Sequence, residues 1–227
     1  MKKIFVAIVL YFLLNVNSYS HLEHYFGIKY LEYDLFRNND LIGSHKYDFT
    51  RNGDNLTVKS VVNFKITKLG IDLYKYYAES IENYQNNVFK SFDSTTLQNK
   101  KNKYVKINLN TQQNKLDIDG SSYKGEADEN YMVGTWWNHE IVKAKAQISA
   151  ISGRIIEQKV KFLGKKQIQV SGKTYEALHF KFLSSDETLP DNKKLNTDIW
   201  YDAKTLIWLK AQFIKQGNWE YRLKKLN

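Results

Sequence analysis

Leu56-Thr57-Val58-Lys59-Ser60-Val61-Val62-Asn63-Phe64-Lys65-Ile66 decides the fold class. Leu56, Val58, Val62, Phe64 and Ile66 share one parity, Thr57, Lys59, Asn63 and Lys65 the other, and Ser60 is the single polar residue on the apolar side. Period two marks a strand with one buried face, because successive side chains of an extended chain point to opposite sides. The pattern recurs on both sides of this stretch: Tyr47 with Phe49; Val105, Ile107 and Leu109; Leu178, Phe180 and Phe182; Ile207, Leu209, Ala211 and Phe213; then Trp219, Tyr221 and Leu223. Between the strands, Asn38-Asn39-Asp40, Asn52-Gly53-Asp54, Asp119-Gly120, Ser152-Gly153, Ser171-Gly172 and Gln216-Gly217-Asn218 tolerate the positive φ that tight hairpins require. Roughly a dozen strands spaced about ten residues apart predict one all-β domain, a long antiparallel meander.

One segment breaks the alternation. Gly125 to Gly134 is acidic and irregular and leads into Thr135-Trp136-Trp137-Asn138-His139-Glu140. Asn138 as N-cap with Glu140 in the first turn predicts a short helix over 138–146, while the alternation of Val142, Ala144, Ala146, Ile148 and Ala150 suits a strand as well.

The chain has no cysteine, which excludes thiolate nucleophiles, Cys-based metal sites and disulfides. Lys2 and Lys3 precede an apolar run from Ile4 to Leu14, with small residues at Ser18 and Ser20, the pattern of a secretory signal peptide. Eleven apolar residues rise only about 16 Å as a helix, roughly half the hydrocarbon thickness. The expected organisation is therefore a signal peptide over 1–20 and a single β domain over 21–227, located in the periplasm of a bacterial envelope. Removing Lys2 and Lys3 leaves 34 − 2 = 32 basic residues against 24 acidic ones, a net charge of +8. Only four of them are arginines, and the lysine runs fall at turns, which disfavours nucleic acid as a partner. Peripheral attraction to an anionic membrane surface is compatible with this charge. Nothing in the pattern sets an oligomeric state.

Catalytic motifs are missing. His45 lies on the strand face of Tyr47 and Phe49, His179 alternates outward with Lys181, and His139 and Glu140 point apart. His21 and His24 near the start of the mature chain are the residues that copper would take, although a frayed polar terminus is the plainer reading. Asp117 with Asp119, and Asp198 with Asp202, carry no glycosidase or calcium signature, and no G-x-S-x-G element accompanies the serines. No enzyme, metal or cofactor is expected. Five Trp, sixteen Tyr and twelve Phe exceed what a small β core demands. They fit either a sheet buried on one face with tyrosines lining its half-exposed other face, or an apolar concavity for a lipid or another apolar small molecule, lined by Val62, Phe64, Trp136, Trp137, Leu178, Phe180, Leu209 and Phe213. A non-catalytic binding or carrier protein is the leading reading. A ligand-free structural or interaction module, and a hydrolase acting on an envelope polymer, follow it.

Three stretches carry a resemblance. Tyr33 to His45, with two strands meeting at a polar turn before Ile42-Gly43, and Trp136-Trp137-Asn138 resemble an uncharacterised family of exported bacterial β-sheet proteins, a domain of unknown function. Trp200-Tyr201-Asp202-Ala203-Lys204-Thr205-Leu206-Ile207-Trp208-Leu209-Lys210 resembles the hairpin unit of periplasmic half-barrels such as the lipoprotein-carrier proteins. The resemblance implies a single antiparallel meander forming a curved sheet or half-barrel around a short helix, with ligand binding an analogy at the level of the fold.

Overall fold

Alternation becomes burial strand by strand. In the computed structural model, which describes residues 22–227, β1 (Tyr30–Arg37) buries Leu31, Tyr33 and Leu35, and β2 (Asp40–Asn52) buries His45, Tyr47 and Phe49. β3 (Asn55–Lys68), β4 (Ile71–Gln85), β5 (Val88–Gln98), β6 (Lys101–Asn110), β7 (Lys115–Gly120) and β8 (Lys124–Asp128) follow as consecutive neighbours. β9 (Met132–Val133), β10 (Ala146–Ile148), β11 (Ile155–Val170), β12 (Lys173–Ser184), β13 (Asn196–Asp202), β14 (Trp208–Ile214) and β15 (Asn218–Leu226) form a second wing. The wings join where the first and last strands pair, Tyr33 opposite Leu223 and Leu35 opposite Tyr221, so one 15-stranded sheet results with β8 and β9 at its edges. Every pairing is antiparallel except β9 with β10. The sheet is not closed into a barrel. Its wings nevertheless touch: Ser122 N donates to Ser152 O at 2.9 Å and Ser94 Oγ to Ala150 O at 2.5 Å. A Cβ on Gly120 would stand 2.5 Å from Ser152 O, so only glycine admits this approach.

The hairpins use the expected turn chemistry, with positive φ at Asn38, Asn39, Gly53, Ser171, Gly172, Gln216 and Gly217. Asp119-Gly120 is an exception. Gly120 ends β7 and the chain reverses at Ser121-Ser122, which follow it. Asn86-Asn87 and Leu69-Gly70 are further positive-φ turns.

The helix expected over 138–146 is a single 3-10 turn, His139–Val142. Its cap is as expected, Asn138 accepting from Glu140 N at 3.1 Å. Propagation fails because Gln158 Nε2 takes the carbonyls of Ile141 and Ala144, at 2.9 and 2.8 Å, and Ala146–Ile148 pairs with β11 instead. The sheet therefore wraps around an irregular crossing segment and not around a helix. Among the described residues no helix is long and apolar enough to cross a membrane. The signal peptide expected over 1–20, and His21, lie outside the described residues. The chain just after them is docked, since Leu22 and Tyr25 are fully buried in a 3-10 turn, which corrects the frayed reading.

Candidate functional site

Antiparallel order places the turns at residues 38–39, 69–70, 99–100 and 215–217, with the 149–154 and 185–195 connections, at one end of the sheet, here the upper end. Turns at 53–54, 86–87, 111–114 and 171–172 lie at the lower end. The segment Thr135–Trp137 crosses the inner face between the two ends and is pinned from both wings. Tyr47 Oη donates to Thr135 O at 2.5 Å and Tyr201 Oη to Trp136 O at 2.9 Å. Trp136 holds φ at +61°, a conformation costly for a bulky residue, so its backbone is held by these partners and not by its own preference. Trp136 and Trp137 consequently face opposite ways, as their adjacency predicts.

Above the crossing lies a cavity of about 340 Å³ with apolar walls from Val62, Ala78, Trp136, Ile151 and Phe213. His45 Nε2 meets Ser60 Oγ at 2.8 Å on its floor, and His45 Nδ1 has no partner. Burial pushes the His45 imidazole down to about 3, so it is neutral near pH 7. An imidazole this weakly basic, with no carboxylate on Nδ1, is a poor activator of Ser60. Arg154, Lys193, Lys194 and Lys215 form a cationic rim against the single acid Glu79. Burial first, then the nearby charges of Arg154 and Lys103, pushes the Lys215 ammonium below its usual range.

The His45 shift has a measurable consequence. A base whose folded value is depressed contributes stability that is complete above its unfolded value of 6.5 and is lost as pH falls towards about 3. Wild type should lose up to about 1.4 kcal/mol per pH unit in that window relative to His45→Gln. Parallel urea denaturation curves for the two proteins between pH 4 and 7 would contradict the burial.

Below the crossing a second cavity of about 590 Å³ opens beside Glu82, Tyr84, Phe89, Tyr131 and Asn138. Glu82 is 4% exposed and receives hydrogen bonds from Tyr84 Oη, from Trp137 Nε1 at 2.9 Å and from Thr135 Oγ1 at 3.4 Å. Burial raises its carboxyl above the usual range, and these three donors only partly offset that. Next to it, His139 and Glu140 meet, Nε2 to Oε1 at 3.0 Å, instead of pointing apart. With Nε2–H assigned to Glu140, His139 Nδ1 accepts from Tyr25 Oη at 3.1 Å. Burial raises Glu140, but the hydrogen bonds from His139 and Lys143 outweigh it and leave the carboxyl at about 2.

Of the eight residues expected to line one concavity, Val62, Trp136 and Phe213 line the upper cavity. Phe64 stacks on Tyr76 of its wall, centroids 4.7 Å apart. Trp137 and Leu209 are fully buried core residues, Leu209 beside an irregularity in the β13–β14 register. Leu178 and Phe180, half-buried on β12, line neither cavity; Phe180 packs on Phe162, rings 5.2 Å apart. His179 is buried, stacked 4.3 Å from Trp200 and bonded to Asp198 at 2.8 Å, because the register sets it opposite Trp200. Asp202 closes a turn by accepting from Thr205 N, and Asp119 pairs with Lys124. Among the described residues no three acid or histidine side chains gather as a metal site. Periodicity alone missed Glu82 and the rim cations, although a glutamate in phase with Tyr76, Ala78 and Tyr84 on β4 was the available signal.

The sequence profile of the domain of unknown function DUF6134 matches residues 33–224, which includes every strand from β2 to β14 and both cavities. The chain belongs to that family. Membership in an uncharacterised β family is thus as the residues implied. A beta-barrel-like protein of domain of unknown function DUF1849 from Brucella abortus is similar in structure, with TM-score 0.60 at 13% identity, over 87% of this chain and 96% of that one. A Bacteroides fragilis protein with a YmcC-like fold aligns with TM-score 0.38 at 8% identity, over 87% and 94% of the two chains. Among curated proteins none matches significantly. The shared property of the DUF6134 chain and its Brucella neighbour is the fold.

Proposed function

We propose that this protein is a non-catalytic binding or carrier protein of the bacterial envelope, taking the apolar tail of an amphiphile into the upper cavity. The observation that carries the reading is the upper cavity itself: apolar walls, a neutral His45–Ser60 floor and a cationic mouth. Its 340 Å³ lies at the low end of the roughly 300–1,000 Å³ usual for ligand sites. Burying ten methylenes would contribute about 8 kcal/mol before the cost of association, enough for reversible carriage. The rim cations suit a carboxylate or phosphate headgroup. The N-terminal apolar run supports export, and the absence of a carboxylate behind His45 supports a non-catalytic role.

Native mass spectrometry and lipid extraction of protein purified from its own envelope test the reading, since a carrier should arrive loaded. Ala78→Phe, which fills the cavity, should weaken fatty-acid binding at least tenfold, while Leu178→Ala should leave it unchanged. Protein that arrives clean and also fails to bind fatty acids or phospholipids would establish the ligand-free module instead. That second reading is favoured by one specific feature, the crossing segment that fills the centre of the concavity with Trp137 and Ile141.

A further inference from the structure

The β3–β4 hairpin parts from both of its neighbours at its upper end. Pairing of β2 with β3 stops at Gly43 opposite Phe64, and pairing of β4 with β5 stops at Tyr76 opposite Gln98. β3 and β4 continue to pair with each other as far as Lys68 opposite Ile71. Residues 66–74 therefore form a two-stranded tip that passes the β5–β6 turn, where Asn99 still bonds Lys75, by about three residues or roughly 10 Å, and that runs unpaired beside the top of β2, which continues to Asp40. Such a ribbon is marginal in water and should be polar. Its tip is the reverse, with Leu69 93%, Ile71 66% and Leu73 56% exposed. Around that tip stand Lys65, Lys68 and Lys75 against the single acid Asp72, which Lys65 and Lys75 share at 3.9 and 3.1 Å. At the same end of the sheet Ile214 is 82% and Leu41 60% exposed. Lys100, Lys101, Lys103, Lys193 and Lys215 lie there too, Lys193 and Lys215 lining the upper cavity, with Asp40, Asp186, Glu187 and Asp191 as the acids of that end.

We infer that this upper end docks on an anionic lipid surface, with Leu69, Ile71 and Leu73 entering the headgroup boundary and the lysines meeting the lipid phosphates. An apolar tip ringed by cations is complementary to that interface, where buried apolar area and attraction to anionic lipid act together. Docking in this orientation turns the cavity mouth towards the membrane. The inference goes beyond the cargo reading and rests on the hairpin, so the two fail separately.

Vesicle flotation decides it, comparing wild type and variants purified in the same processed form. Wild type should float with phosphatidylglycerol-rich vesicles in low salt, tenfold less with pure phosphatidylcholine vesicles, and tenfold less at 1 M salt, where the screening length is about 3 Å. Leu69→Ser with Ile71→Ser should lower flotation at least tenfold with the fold unchanged by circular dichroism, because both side chains are exposed. Lys68→Glu should do so through charge alone. Ala78→Phe, which fills the cavity and so excludes cargo, should float as wild type does. Flotation of the double serine variant equal to that of wild type, or no preference for anionic vesicles, would overturn the inference.

Discussion

Trp137→Ala is expected to lower stability by about 3–5 kcal/mol, a large part of the roughly 5–15 kcal/mol that holds a domain folded. The ring is fully buried, with Tyr25, Phe49 and Tyr84 packed edge-on at 5.1, 5.3 and 5.9 Å. Its removal leaves a cavity where the crossing segment meets both wings, and it takes one donor from Glu82. For a domain of this size the melting temperature should fall by about 6–20 °C. Trp136→Gly provides the contrast. It deletes a half-buried ring, yet glycine accepts the +61° φ freely, which offsets roughly 1 kcal/mol of the loss. Thermal and urea unfolding of the two variants measure the difference, and a loss below about 1 kcal/mol for Trp137→Ala would show that the ring is not held in the core.

The second large effect belongs to Glu82. Glu82→Ala should cost about 2–4 kcal/mol below pH 4.5, because Tyr84, Trp137 and Thr135 lose a buried acceptor, and the cost should shrink as pH rises and wild type itself loses stability. An acid whose folded value is raised contributes stability that is complete below its unfolded value, 4.5, and that drains away as pH rises through the folded value. Wild type should therefore lose ground to Glu82→Gln as pH increases above about 4.5, by at most about 1.4 kcal/mol per unit. Urea midpoints from pH 4 to 8 read this directly. A gap that stays constant, or that moves in favour of wild type with rising pH, would mean that Glu82 ionises in the fold as easily as in the unfolded chain.

Much of the sheet is legible in the sequence. Leu56, Val58 and Phe64 turn inward because period two is a property of adjacent residues, and Asn38-Asn39 reverses the chain because its own backbone tolerates positive φ. The 3-10 turn at His139–Val142 was half legible. Asn138 caps it locally, but the residue that ends it, Gln158, comes from another strand.

The site was legible only in pieces. Val62 and Phe213 carried an apolar signal, but the same signal marked Leu178 and Phe180, which line neither cavity. The sequence by itself determined the strands, their inward faces and most of their turns, since each depends on neighbours along the chain. Tertiary structure decided that β1 lies beside β15, that Trp137 reaches Glu82 from 55 residues away, and that Arg154, Lys193 and Lys215 share one mouth. Those outcomes depend on register, curvature and the path of the crossing segment, which are set by contacts between distant strands and leave no periodic trace in either partner.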